Sequence, residues 1–180
     1  MEKIYIYSNG GGFLNTEPRG FTEIEIPSFE GYETMVSTAN DIVTILDSFD
    51  FKKKNECLEK TFACIDTLAE LEKYYKGNEV FVWNIKKAKT ELELNVAYNT
   101  GVNGKRNWVN RWNCNMVRDL ANGVVRFSDS KGKDYGKRYW HIFNLIGDTI
   151  EYNGKKFYMW DGWHSSYDVM KEIADKQFNA

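Results

Sequence analysis

In two stretches, one near each end of the chain, side-chain types alternate with a period of two, as they do in β-strands. Near the N-terminus, isoleucine alternates with tyrosine over residues 4–7, and residues 21–27 alternate again up to Pro27. Near the C-terminus, two short alternating runs flank Asn153-Gly154, a dipeptide that favours the tight turn of a β-hairpin. These patterns predict a strand pair at the start of the chain and a second pair near its end.

Between residues 38 and 76 the apolar spacing changes to that of helices. A loop over 28–37 is followed by isoleucine and leucine at helical spacing from Thr38 onward, and then by a longer helix over about 53–76 that Gly77 ends. We expect these two helices to form an αα-hairpin. The predicted buried stripe of the longer helix consists of Leu58, Phe62, Ile65, Leu68, Ala69 and Leu71.

The next part of the chain predicts strands. Residues 79–85 are rich in β-branched and aromatic side chains, and residues 90–98 alternate leucine and valine with polar residues. The lysine-rich stretch 86–89 would be the turn between them. Two further short strands are predicted at 124–127 and at 139–146.

Two more helices are predicted, at about 107–122 and at about 165–178. Asn107 is a suitable N-cap for the first, and Asn122-Gly123 is a strong stop signal after it. Together these elements predict a single-domain α+β fold over residues 1–180. In it a mostly antiparallel sheet of about five to seven strands is packed by the αα-hairpin of about 38–76 and by these two helices.

Composition excludes several classes of protein. An apolar share of 42% and an aromatic share of 16% provide a core and rule out a disordered chain. Three cysteines and two histidines without paired spacing predict no structural zinc site and no cofactor, and favour reduced thiols. The chain shows neither the apolar run of a signal peptide nor that of a membrane span, so we expect a cytoplasmic protein without a membrane partner.

The net charge of −2 is unevenly distributed along the chain. Residues 1–100 carry 11 Lys and Arg against 17 Asp and Glu, whereas residues 101–140, the basic segment, carry 9 Lys and Arg against 3 Asp. A basic segment in an acidic chain points to an anionic partner, and the acidic face of the 53–76 helix could instead neutralise it internally. That face could also bind a basic partner or simply face water.

Within the basic segment, nine residues are the candidate binding site. Arg111 and Arg118 are seven apart and would lie on one side of the predicted helix, opposite an apolar stripe of Trp108, Trp112 and Met116. Cations mixed with aromatic rings suit single-stranded nucleic acid, since lysine and arginine meet phosphate while rings stack on bases. The nine candidate residues are Lys105, Arg106, Arg111, Arg118, Lys131, Lys133, Tyr135, Lys137 and Arg138.

These features favour a small non-enzymatic binding protein that acts on nucleic acid or on a nucleic-acid-handling protein. Its size and its bias toward lysine and asparagine suggest a phage or mobile-element accessory protein, such as an inhibitor that evades host defence. One alternative is a sponge or sensor that captures a small nucleotide in an Arg, Trp and Tyr pocket. Another is a small enzyme that uses Asp161 and His164, or His141, as acid–base groups.

Overall fold

The computed structural model describes residues 2–8, 20–100, 114–128, 140–146, 149–158 and 167–178. They form two compact units: Glu30–Gly123, and Met1–Phe29 together with Val124–Ala180. The first unit is helical and the second carries the strands, so the chain is α+β as predicted. The helices of the helical unit are α1 (Tyr32–Asp47), α2 (Lys54–Tyr74), α3 (Glu79–Thr100) and α4 (Asn115–Ala121).

Helix α1 begins earlier than the sequence predicts, because the loop expected over 28–37 ends at Gly31. This glycine has a φ of 82° and makes no side-chain cap, so no Asn or Thr cap marks the true start. A left-handed conformation suits glycine, which has no Cβ to clash. The buried face of α1 then follows helical spacing through Met35, Ala39, Ile42 and Leu46.

Helix α2 agrees with its predicted bounds, but its buried face is rotated relative to the predicted stripe. Leu68 and Leu71 are buried as expected, whereas Phe62 is 52% exposed. Small side chains occupy much of the helix interface, where Thr61 donates its hydroxyl to the Cys57 carbonyl at 2.7 Å. The prediction placed the largest apolar residues inside. The buried positions are Cys57, Thr61, Cys64, Leu68 and Leu71.

Helix α3 replaces both strands predicted over 79–98, and that prediction was wrong. The residues between them, 86–89, are helical as well. Buried positions recur every three to four residues along α3, and three of them are asparagines, so a search for apolar periodicity does not find the helical face. The buried residues are Val80, Phe81, Asn84, Ile85, Ala88, Leu92, Asn95 and Asn99.

The four helices pack as neighbouring pairs. Helix α2 packs most closely against α3, and α1 against α4, while α1 and α2 of the predicted αα-hairpin make a smaller contact. The hydroxyl of Tyr75 links the α2–α3 turn to α1, because it bonds the carbonyl of Gly31 and accepts the amide of Met35 at 2.9 Å. The turn between α2 and α3 is therefore tied to the first turn of α1.

Helix α4 confirms the predicted helix of 107–122 only over its last part. Cys114 precedes it with a φ of 49°, which is left-handed, so no continuous α-helix passes through this residue. The remainder, 107–113, lies outside the described residues. Gly123, with a φ of 75°, follows the helix as its stop signal predicted.

The second unit contains two sheets. The strands are β1 (Glu2–Ser8), β2 (Gly20–Ile26), β3 (Val124–Ser128), β4 (Trp140–Asn144), β5 (Thr149–Tyr152) and β6 (Lys155–Tyr158), and helix α5 (Tyr167–Phe178) follows. One sheet has the order β2-β1-β6-β5 and the other pairs β3 with β4. The strand predictions at both ends of the chain, at 124–127 and at 139–146 are confirmed, as is the C-terminal helix.

The larger sheet is mixed rather than purely antiparallel, although three of the four described strand pairs in the unit are antiparallel, as predicted. Strand β1 pairs antiparallel with β2 but parallel with β6, where Tyr5 lies opposite Phe157. The β5–β6 hairpin turns at Asn153 and Gly154, whose φ angles of 52° and 73° are those of a type I′ turn. Helix α5 packs on β2, and the aromatic ring of its Phe178 lies 5.1 Å from that of Tyr5.

Among the described residues, no helix has the length and apolar character that a bilayer span requires.

Candidate functional site

Of the nine predicted site residues, only Arg118 belongs to the described part of the chain. The other eight lie outside it: Lys105, Arg106, Arg111, Lys131, Lys133, Tyr135, Lys137 and Arg138. The acid–base candidates Asp161 and His164 also lie outside the described residues. His141 is placed in β4, where its backbone pairs with Phe127.

Arg118 forms a two-pronged ion pair with Asp47. Its two terminal nitrogens lie 3.3 Å from Oδ2 and 2.6 Å from Oδ1 of that carboxylate. The hydrogen bond from Arg118 lowers the pKa of the Asp47 carboxyl and raises the pKa of the guanidinium. Asp47 is the last residue of α1, where the helix dipole disfavours a negative charge, so Arg118 stabilises it there.

The Arg118–Asp47 ion pair affects the predicted binding of phosphate by Arg111 and Arg118. A phosphate at Arg118 would compete with the Asp47 carboxylate for the same donors. The prediction also placed Arg111 and Arg118 on one line of a continuous helix, and the left-handed Cys114 between them interrupts that helix. Arg118 therefore has a structural role that links α4 to α1.

Neighbouring helices hold the short helix α4 at both ends. At its start, the Met116 amide donates to the Glu91 carboxylate of α3 at 3.2 Å. At its end, the Asn40 side-chain amide of α1 donates to the Ala121 carbonyl at 3.0 Å. Both contacts satisfy groups that a helix terminus leaves without an internal partner. The position of Arg118 is thus fixed by the surrounding helices.

The cysteines of the helical unit are buried and unpaired with one another, as the sequence predicts. Burial raises the pKa of Cys64 to about 11 and that of Cys114 to about 12. Asn95 donates to the Cys114 sulfur at 3.3 Å. A thiol that stays protonated at neutral pH is a poor nucleophile, so these residues are packing groups. Within the described ranges, no three His, Cys, Asp or Glu side chains come together as a metal site.

A lysine-lined cleft between α2 and α3 is a feature that the sequence prediction missed. It is open to solvent and has a volume of about 550 Å³. Lys86 and Lys89 line one wall because α3 is a helix, in which residues three apart share a face. The strand prediction hid this arrangement by placing both in a turn. The lining residues are Ala69, Glu72, Lys73, Lys76, Gly77, Glu79, Val82, Lys86 and Lys89.

The Glu72 carboxylate lies at the centre of the charges in this cleft. Its side chain is 19% exposed, and its oxygens lie 2.9 Å from the Lys89 ammonium and 3.6 Å from that of Lys86. One carboxylate thus orders two ammonium groups. We call this feature the lysine cleft.

No family model, no curated protein and no solved structure matches the chain.

Proposed function

We propose that the protein is a non-enzymatic binding protein that engages single-stranded nucleic acid through the basic segment, residues 101–140. The observation that carries the proposal is the charge distribution: this segment holds 9 Lys and Arg against 3 Asp in a chain of net charge −2. Interleaved aromatic residues such as Tyr135 would stack on bases while lysine and arginine meet the phosphates.

Local ion pairs in the helical unit support this proposal. If the acidic face of α2 served to neutralise the basic segment, its carboxylates would need that segment as a partner. Glu56 instead lies 3.0 Å from Lys60, and Glu70 lies 3.3 Å from Lys73. Glu72 is held by the lysines of α3. Glu56, Glu70 and Glu72 thus each have a lysine partner within the helical unit.

The wider role that we propose is that of a cytoplasmic accessory protein or inhibitor of a phage or mobile element. Its lysine- and asparagine-rich composition and small size support this assignment. The free, buried cysteines among the described residues fit a reducing compartment. Inhibition of host defence by binding nucleic acid, or a protein that handles it, is the activity that we assign to such a role.

The experiment is a gel shift with a labelled single-stranded oligonucleotide of mixed sequence. We expect affinity to fall at least tenfold as salt rises from about 50 to about 300 mM, because phosphate contacts release counterions. A variant with Lys131, Lys133, Lys137 and Arg138 all changed to Gln should bind at least about tenfold more weakly at about 50 mM salt.

The matched control changes four cations outside the basic segment, namely Lys52, Lys53, Lys54 and Lys176, to Gln. These side chains are exposed, and the control removes the same charge from the chain. Equal loss of binding in both variants would show that net charge, rather than the basic segment, carries the interaction. Tight binding to a lysate protein by a chain that binds no oligonucleotide would refute the nucleic-acid proposal in favour of a protein partner.

A further inference from the structure

The lysine cleft brings four cations together in a way that no sequence motif indicates. Lys73 lies at the end of α2 and Lys76 in the turn that follows it, and two more cations come from the first half of α3, Lys86 and Lys89. The lining also holds two carboxylates, Glu72 and Glu79, so cations exceed anions by two. We propose that this cleft binds a short phosphate chain, either free inorganic triphosphate or the triphosphate tail of a nucleotide.

The α3 wall of the cleft is ordered in advance. Lys89 is half-buried and bonds Glu72 at 2.9 Å, which fixes its ammonium group without a ligand. Lys86 lies 3.6 Å from the same carboxylate and is more exposed. Lys86 and Lys89 share the Glu72 carboxylate, and Glu79 is the second carboxylate of the lining. The excess of two positive charges therefore comes from the two lysines on the opposite wall. Side chains already ordered lose less entropy on binding.

The α2 wall supplies cations that are free to turn toward a ligand. Lys73 pairs with Glu70 at 3.3 Å, but both side chains are exposed, and such a pair stabilises the protein little. Lys76 is exposed and makes no ion pair with a carboxylate of the described residues. A polyanion between the walls would gain both ammonium groups while displacing only a weak contact.

The shape and lining of the cleft define the part of the ligand that is recognised. A volume of about 550 Å³ is within the range of small-molecule sites. The described lining residues include no aromatic ring on which a base could stack, and the uncharged ones are Ala69, Gly77 and Val82. Recognition is therefore of the phosphate chain. Inorganic triphosphate and ATP should bind with similar affinity, and single orthophosphate more weakly.

No described lining residue of the cleft belongs to the basic segment, so the two proposals can fail separately. The test is isothermal titration calorimetry of the full chain with inorganic triphosphate and, in a second arm, with ATP. The double variant Lys73→Gln with Lys76→Gln should weaken triphosphate binding at least about tenfold, since each lost cation removes a charge-assisted contact. The matched control, Lys52→Gln with Lys54→Gln, removes two exposed lysines outside the cleft and should bind as the natural chain does.

Three further measurements keep the outcome decisive. Lys86→Gln should weaken binding from the opposite wall, and far-UV circular dichroism should show an unchanged fold for all these exposed-site variants. The Lys131, Lys133, Lys137 and Arg138 variant should keep its triphosphate affinity. Loss of that affinity would place the anion on the basic segment and overturn the proposal. Absence of a binding heat with either ligand at millimolar concentration, or equal weakening in the control, would overturn it as well.

Discussion

Tyr75 offers the sharpest test of how the helical unit is held together. It lies in the turn between α2 and α3 and is 7% exposed. Its hydroxyl bonds both the Gly31 carbonyl and the Met35 amide, the two groups that the first i to i−4 bond of α1 would join. The change Tyr75→Phe removes this hydroxyl and keeps the ring, including its edge contact with Phe81 at 4.9 Å.

The expected cost follows from the groups left behind. Two hydrogen bonds are lost, each with a net contribution of about 0.5–1.5 kcal/mol, so the free energy of unfolding should fall by about 1–3 kcal/mol. The lower end applies if the Gly31 carbonyl and the Met35 amide move together and bond directly. The upper end applies if both stay apart in the buried site.

Urea denaturation followed by far-UV circular dichroism measures this loss, with the midpoint compared at constant m-value. Tyr74→Phe is the matched control, because it removes the hydroxyl of the neighbouring tyrosine, which is 67% exposed. We expect the control to change stability by less than about 0.5 kcal/mol. If Tyr75→Phe cost no more than Tyr74→Phe, the role assigned to the buried hydroxyl would be refuted.

The same hydroxyl predicts a pH dependence. Burial raises the pKa of Tyr75 above its ordinary value, so folding favours the neutral phenol. The contribution of this group to stability is complete below the unfolded pKa of about 10 and is lost as pH rises through the higher folded pKa. The stability difference between the natural chain and Tyr75→Phe should therefore shrink above about pH 10. A difference that grew there would contradict the assignment.

Three further predictions concern the buried face of α2, the buried thiols and the turn between β5 and β6. Leu68→Ala should cost about 2–5 kcal/mol and Phe62→Ala less than about 1 kcal/mol in urea unfolding, and the reverse order would mean that the predicted stripe, not the observed face of α2, is buried. Cys64 and Cys114, whose pKa values burial raises to about 11 and about 12, should react with DTNB at neutral pH only as fast as the chain unfolds, and rapid labelling of the folded protein would contradict their burial. Gly154→Ala forces a Cβ into a φ of 73° and should cost about 1–2 kcal/mol by thermal unfolding, whereas a neutral effect would rule out the left-handed turn.

The sequence predicted only part of the candidate site. Charge counting finds the basic segment, but only Arg118 of its nine candidates lies in the described residues, and there it pairs with Asp47. The partner is 71 residues away in the chain, so no local pattern indicates the pair. The lysine cleft was missed for a different reason: Lys86 and Lys89 share a face only if their segment is helical.

The elements that were predicted correctly from the sequence are those indicated by patterns of neighbouring residues. Strands β1 and β2 alternate with period two, Asn153-Gly154 has the residues that a type I′ turn needs, and α2 and α5 keep their predicted positions. Each of these depends on backbone preferences within a few residues, which the chain encodes without reference to distant partners.

The helical conformation of α3 and the pairing of β1 with β6 depend on tertiary contacts. The stretch 79–98 has strand-forming residues, yet it is helical because one face packs on α2. Asn84 and Asn99 can be buried on that face because each donates to a carbonyl of the preceding helical turn, as Asn84 does to Val80 at 2.7 Å. Asn95 donates to the Cys114 sulfur instead. The parallel pairing of Tyr5 with Phe157 joins segments from opposite ends of the chain. Burial and strand pairing of this kind depend on which segments meet, and local periodicity does not specify that.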